Sequence, residues 1–410
     1  MYIFFLYFCL ETVYNLIMNK TKKHIAITGT KGKTTSLRIA QHIFLMKEIS
    51  VWGSYGLDGR YHDGRVFMKR DDCVDYLKVE KPSDIHLSEA TSFILTLENI
   101  YQEDSLDVAV FTSFDPLEHM EIHRNSKQYL EDKLNIFKFL KKDGVAIINS
   151  GIEQFEEIKS RIDQKIVTYG ISSDSDYWIS NFEQNMFGSR FNLNHKGKEF
   201  TIESKLVSEV NALNITAAII STVESEHIDI EEAVSLVASF PGVKGRFNFF
   251  KITDSDNEVV IDYAHTPESL EETLKTLKAI SNKRIICIFG CGGNKSIEKR
   301  SPMGMIAEKY SDKVIITNDN PRNESPHKIA NDILRNVKNK NKFETILDRD
   351  LAIKSTLHEN HGSIILIAGK GAEHEINFGK LNFPHNDHNS VLTYAISNQY
   401  VMLKANQYVD

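Results

Sequence analysis

The chain has 410 residues, of which 41% are hydrophobic and 26% charged, and 49 Lys+Arg against 56 Asp+Glu leave a formal net charge of −7. That balance belongs to a folded globular protein of two or three domains of ~150 residues, not to a disordered chain. It also excludes the broadly basic surface of a nucleic-acid-coating protein, so no nucleic-acid partner is expected. Four cysteines, Cys9, Cys73, Cys287 and Cys291, are too scattered for a disulfide framework or a zinc knuckle, which fits a reducing cytoplasm. Residues 1–18 are apolar, but Glu11 interrupts the run and no Lys or Arg precedes it. A secretion signal needs a positive start and a spanning helix needs ~20 apolar residues, so residues 1–20 read as an extension without stable membrane insertion.

From Ile25 onward, short β-rich runs alternate with longer amphipathic segments, the pattern of parallel sheets flanked by helices. HIAITGT predicts a strand and turn, and TTSLRIAQHIFLM a helix. VAVFTSF, SKQYLEDKLNIFKFL and GVAIINS predict a strand–helix–strand unit. Between Tyr169 and Lys205 the pattern turns polar and β-like, an antiparallel excursion, and VNALNITAAIISTVES predicts a helix. The Pro/Gly punctuation of PGVKGRFN marks a boundary near residue 245. A second α/β series follows: EVVIDYA, SLEETLKTLKAI, RIICIFG, a helix around MGMIAEKY, KVIITND and SIILIAG. The expectation is a doubly wound, P-loop-type α/β domain over residues 21–244, then a Rossmann-like domain over 245–410. Ligands in such sheets sit beyond the carboxyl ends of the strands.

Gly29-Thr30-Lys31-Gly32-Lys33-Thr34-Thr35 joins a predicted strand to a predicted helix. Its glycines let backbone N–H groups curl round phosphate oxygens, and the helix N-terminus adds partial positive charge. Lys33 would reach the terminal phosphates, and the Thr34 hydroxyl suits a Mg²⁺ ligand position. The first glycine of the general P-loop pattern would fall at Ile27, so the generic motif is not met. Downstream, Glu89 follows the strand-like IHLSEA, and His119 and Glu121 lie in LEHMEIH after another strand. A carboxylate and a neutral imidazole beside a triphosphate suit a second divalent ion.

In this succession the chain resembles the Mur ligase family, ATP-dependent enzymes that join a carboxylate to an amine. GTKGKTT resembles the family's ATP loop, EATS its acidic metal segment and EHMEIH its DHLDYH. EDKLNIF resembles the segment whose lysine is carbamylated, which implies that Lys133 captures CO₂ and bridges two Mg²⁺ ions. The metal set so implied is Thr34, Glu89, His119 and Lys133, and the catalytic set Lys33, Glu89, His119 and Lys133. VNALNITAA is similar to the adenine-contacting helix (Asn211, Asn214), and GVKGRFN to GVPGRME (Arg246). DYAHTPESL, with Asp262 and His265, looks like a nucleotide motif. DNPR and GKGAEHE are most similar to the ligases that add diaminopimelate or lysine to a muramyl dipeptide. They imply that Arg300, Asp319, Asn320, Arg322, Gly369 and Glu373 hold the incoming amino acid.

Two departures bear on the acceptor. The muramyl ligases carry a UDP-gripping domain before the ATP loop, whereas here the loop begins at Gly29, so the expectation is a ligase without that domain, with a non-UDP acceptor or with a partner protein supplying the acceptor-binding surface. The segment GSYGLDGRYHDGRVFMKRDD looks more like cyanophycin synthetase. Asn294 and Ala372 stand where the family has Asp and His. The reading is an ADP-forming amide ligase acting through an acyl phosphate; a cyanophycin- or polyglutamate-type elongating ligase, and a nucleotide-binding regulator without turnover, are the alternatives.

Overall fold

The computed structural model describes residues 21–55, 59–62, 65–67, 83–97, 100–116, 123–225 and 228–404; the extension 1–20, His119 and Glu121 lie outside them. The chain divides into two compact units. One comprises residues up to 183 with 189–204 and 208–240, the other 184–188, 205–207 and 241 onward. No helix among the described residues is long and apolar enough to cross a membrane.

In the first unit, β1 (Thr21–Thr28) runs through the glycine loop into α1 (Lys33–Met46) and β2 (Val51–Tyr55). The hairpin β3 (Gly59–His62) and β4 (Arg65–Phe67) precedes β5 (Ser83–Glu89) and β6 (Leu106–Phe111). Then come α2 (Ser126–Leu134), β7 (Leu140–Asn149), α3 (Phe155–Lys159) and β8 (Lys165–Gly170). The strands β9 (Tyr177–Asn185), β10 (Gly188–His195) and β11 (Lys198–Ser204) lead to α4 (Glu209–Glu224) and α5 (Ile230–Val237). The sheet order is β11-β10-β9-β8-β7-β6-β1-β5-β2-β3-β4. β1 therefore lies between two parallel neighbours, with Ile27 opposite Glu89 and Thr28 opposite Phe111. Ile25, Ala26 and Ile27 are fully buried, as a strand covered on both faces requires.

The polar excursion is β9–β11, with β10 and β11 antiparallel. The segment SKQYLEDKLNIFKFL is not one helix. α2, capped by Asn125, gives way at Asn135 to a 3-10 turn over Asn135–Phe139. The tighter winding buries Ile136 and Phe137 in the apolar cluster of Leu106, Phe111 and Ile148.

The second unit contains β12 (Asn248–Ile252), β13 (Asn257–Asp262), α6 (Pro267–Ile280), β14 (Arg284–Phe289), α7 (Arg300–Tyr310) and β15 (Lys313–Ile316). After α8 (Pro326–Leu334), β16 (Phe343–Thr345), α9 (Arg349–Glu359) and β17 (Ser363–Ala368) come the hairpin β18 (Glu375–Phe378) and β19 (Leu381–Pro384), α10 (Asp387–Ser397) and β20 (Met402–Lys404). Strands β13, β17, β14, β15 and β16 are parallel, and β12 and β20 close one edge antiparallel. Period-two alternation divides the core. Val260, Ile285, Cys287 and Phe289 pack on one face, and Val259, Ile261, Ile286 and Ile288 on the other. Cys287 and Cys291 are buried, and burial pushes both thiols up to about 12, as core packing predicts. α6 starts on a capping box, Thr266 with Ser269, and Pro267 in its first turn.

Candidate active site

The glycine loop sits at the carboxyl end of β1, at the switch point of the first sheet. Gly29 has φ +141° and Gly32 φ +86°, conformations that L side chains rarely adopt. A Cβ on Gly29 would fall 2.1 Å from Thr112 Oγ1, and one on Gly32 would fall 2.3 Å from Asn214 Oδ1. Residues beyond β6 hold the loop: Thr30 N donates to Ser113 O at 2.9 Å and Lys31 N to Ser113 Oγ at 2.8 Å. Thr30 Oγ1 accepts from Asp115 N at 3.0 Å and meets Tyr129 Oη at 3.2 Å. These protein contacts set the shape of the loop.

Four expected residues converge on it. Lys33 Nζ donates to Gly29 O at 2.9 Å and Thr30 O at 3.0 Å, and stands 4.0 Å from Glu89 Oε1. Thr34 Oγ1 donates to Glu89 Oε2 at 3.1 Å. Lys133, only 1% exposed, donates from Nζ to the same Gly29 carbonyl at 2.7 Å and lies 4.7 Å from the Tyr129 ring centroid. Burial, with Lys33 nearby, pushes the Lys133 amine well below the ordinary lysine range, against the opposing pull of Glu89. Asn214 donates to Asn211 Oδ1 at 3.1 Å on the first turns of α4, against the loop. Thr35 is buried at the start of α1. Among the described residues no three His, Cys, Asp or Glu side chains form a metal cage; of the expected ligands, Thr34 meets Glu89, Lys133 meets the loop at Gly29 O, and His119 lies outside the described residues.

A second cluster forms in the other unit, from the loops beyond β13, β14, β15 and β17. Asn320 is its hub. Its Nδ2 donates to Glu373 Oε2 at 3.0 Å, while its Oδ1 accepts from Lys370 Nζ at 3.2 Å and from Asn377 N at 2.9 Å. Arg322, at φ +52°, turns NH1 back onto Gly293 O at 2.8 Å and Asn320 O at 3.3 Å. Among the described residues, Arg322 Nε and NH2 and Glu373 Oε1 have no protein partner, so one guanidinium edge and one carboxylate oxygen remain beside Asn320. Asp319 accepts from Asn320 N, and a Cβ on Gly369 (φ +110°) would fall 3.0 Å from Asp319 Oδ2.

The other predicted residues, Arg300 and the expected nucleotide contacts Asp262, Arg246 and His265, lie in the same unit. Arg300 is fully buried and forks onto Glu324, both bonds 2.9 Å, with a third to Asp332 at 3.0 Å. Both terminal nitrogens of its guanidinium are engaged by protein acceptors, and Glu324 also accepts from Asn294 N at 2.6 Å. Asp262 accepts from Phe247 N at 2.7 Å and Thr273 Oγ1 at 3.2 Å, tying the start of β12 to α6. Arg246 stacks 4.3 Å over the Tyr263 ring. His265 Nδ1 meets Tyr263 O at 2.9 Å, and burial, aided by Lys299, lowers its pKa to about 4.

Sequence reasoning missed several positioning groups. His123 sits between Asp132 (Nδ1 to Oδ2, 2.8 Å) and Ser92 (Nε2 to Oγ, 3.0 Å), joining the helix of Lys133 to the segment after Glu89. The buried pair Arg349–Asp387 holds two loops at once, Arg349 donating to Asn318 O at 3.1 Å and Ala368 O at 2.9 Å. Polar residues directly after a strand, such as Thr112 and Ser113, were the one local signal available.

Known proteins resemble the chain over both units. The Mur ligase middle domain matches residues 27–222, and the Mur ligase glutamate ligase domain matches residues 245–371. The UDP-N-acetylmuramoyl-L-alanyl-D-glutamate–2,6-diaminopimelate ligase of Syntrophomonas wolfei is 34% identical over 368 residues, 87% of this chain and 74% of that protein. The enzyme of that name from Bacillus cereus is 32% identical over 390 residues, 91% of this chain and 78% of its own. A solved structure of a ligase with that name superposes with a TM-score of 0.65 at 29% identity, covering 93% of this chain and 80% of its own. Mycobacterium tuberculosis folylpolyglutamate synthase, 16% identical with a TM-score of 0.66 over 88% of this chain and 92% of its own, shares the fold. The chain belongs to the Mur ligase family. It is an ATP-dependent ligase that joins a carboxylate to an amino acid, forming a C–N bond with release of ADP.

Proposed function

We propose that the protein adds a diamino acid, diaminopimelate or lysine, to the carboxylate of a muramyl dipeptide such as UDP-N-acetylmuramoyl-L-alanyl-D-glutamate, through an acyl phosphate. The acceptor carboxylate attacks the γ-phosphorus of ATP and ADP leaves. The amine then attacks the acyl carbon, phosphate departs with one carboxylate oxygen, and the amine proton passes to solvent. In-line transfer of this kind needs positioning and charge neutralisation more than covalent help from the protein. Lys33 lies within its own side chain's reach of the loop, so binding requires only that its ammonium exchange Gly29 and Thr30 carbonyls for phosphate oxygens.

The loop residues fit a magnesium nucleotide: Gly32 leaves a cradle that a Cβ would fill, and Thr34 already meets Glu89. Thr34 and Glu89 would hold one Mg²⁺, and His119 with a carbamate of Lys133 the other. Magnesium supplies charge neutralisation on the phosphates and orientation of the γ-phosphoryl group. Lys133 suits carbamylation because only a neutral amine adds to CO₂, and its burial disfavours the ammonium.

The observation that carries the substrate reading is the pair of unclaimed groups beside Asn320. Arg322 offers Nε and NH2 as a planar fork to a carboxylate, and Glu373 Oε1 accepts from an ammonium. The test crosses meso-diaminopimelate, lysine, glutamate and aspartate with UDP-N-acetylmuramoyl-L-alanyl-D-glutamate and its UDP-free form, reading ADP and product mass. Formation of the diaminopimelate or lysine adduct supports the reading; product only with glutamate or aspartate rejects it.

A further inference from the structure

Lys370 is fully buried, yet it lies in a loop that faces the amino-acid cluster. It stands between Gly369 (φ +110°) and Gly371 (φ +54°), two left-handed glycines that fold the chain sharply about it and turn its side chain inward. A buried ammonium requires acceptors, and this one has two: Glu373 Oε2 at 2.6 Å and Asn320 Oδ1 at 3.2 Å. Asn320 Nδ2 closes the ring onto the same Glu373 oxygen at 3.0 Å. Two donors therefore share Oε2, and Oε1 is left over. Glu373 itself is about one-third exposed, so without the ring its carboxylate is free to rotate into solvent.

We propose that Lys370 is the positioning residue of the amino-acid subsite: by holding Glu373 Oε2 and Asn320 Oδ1 together, it fixes the rotamer in which Glu373 presents Oε1 to the ammonium of the incoming amino acid. The proposal rests on the reading that Arg322 and Glu373 receive that amino acid. Lys370 touches no substrate itself. It also places a positive charge on Glu373 Oε2 while Oε1 stays available. Asn320 is held in register by Asn377 N on β18, which ties the ring to the hairpin as well.

The test measures KM for meso-diaminopimelate, kcat and ATP affinity in the full chain with saturating UDP-N-acetylmuramoyl-L-alanyl-D-glutamate. Lys370→Met is expected to raise KM for the amino acid ~10- to ~100-fold, the scale of a misplaced charge-assisted hydrogen bond. ATP affinity should stay unchanged, and kcat should change by less than ~3-fold, because the transfer of phosphate is made elsewhere. Adding Lys370→Met to Glu373→Gln should raise KM no further, since both act through one oxygen pair. A merely structural lysine would instead lower Tm and act additively. Should Lys370→Met fail to fold, Asn320→Ala keeps the ammonium paired with Glu373 while opening the ring, and the same rise in KM is expected. Unchanged KM in both variants overturns the proposal. If Arg322→Ala still raises KM in that case, the subsite reading stands without Lys370; if it does not, both fall.

Discussion

Replacing Gly32 by alanine tests whether the loop is built for phosphate. The backbone there sits at φ +86°, where a Cβ costs ~1–2 kcal/mol against the following carbonyl. The added methyl would also lie 2.3 Å from Asn214 Oδ1, so the amide has to move and its 3.1 Å bond to Asn211 is lost, ~1 kcal/mol more. The sum of ~2–3 kcal/mol corresponds to a ~30- to ~150-fold weakening of ATP binding if the loop leaves its cradle to relieve the strain. If the loop instead holds, the same energy appears as a fall of ~4–12 °C in the melting of the first unit. Gly197→Ala is the matched control. It has φ +74° but nothing within 4 Å, so it should lose ~1 kcal/mol of stability and leave nucleotide affinity alone. Isothermal titration with ATP and calorimetric melting read both quantities. A Gly32→Ala protein with wild-type affinity and wild-type melting would refute the argument that this turn needs glycine.

Three further outcomes follow from the same structure. Lys133→Ala should slow ligation ~100- to ~1000-fold, the scale of a lost electrostatic contact, with partial recovery on adding short carboxylic acids, read as ADP release; an unaltered rate removes Lys133 from the site. Asp387→Ala strands the fully buried Arg349 and should cost ~3–5 kcal/mol, whereas Arg349→Met with Asp387→Leu should recover most of it, measured by denaturant unfolding. His24 and His265 are both lowered from 6.5 to about 4 by burial, so below pH 6.5 the unfolded chain binds protons that the folded chain does not. Stability is then full above pH 6.5 and falls as pH drops toward 4, by up to ~3 kcal/mol for each, and unfolding midpoints that stay flat across that window would contradict the assignment.

What could be read from the sequence was whatever is local along the chain. The glycine loop, its strand and its helix are contiguous, so Lys33 and Thr34 were visible, and motif succession added Glu89, Lys133 and the Asn320–Arg322 loop. The partners that fix them were not visible, because they depend on strand order. Thr112 and Ser113 cover the loop only because β6 lies next to β1. Arg349 reaches Asn318, Ala368 and Asp387, which lie in three separate stretches of the chain, and Lys370 gains its meaning only when the loops beyond β15 and β17 meet. Arg300 shows the converse. The resemblance implied that it holds the incoming amino acid, and in the fold it holds two protein carboxylates, those of Glu324 and Asp332. The break of α2 at Asn135 was hidden because an amphipathic pattern continues through the 3-10 turn.

In the proposed reaction ATP activates the acceptor's carboxylate by phosphorylating it. Turnover of acceptor labelled with ¹⁸O in both carboxylate oxygens, with diaminopimelate and ATP, tests this through the mass of the released phosphate. One ¹⁸O is expected in each phosphate, with ADP as the other product. Phosphate free of label, with its new oxygen drawn from water, would contradict it.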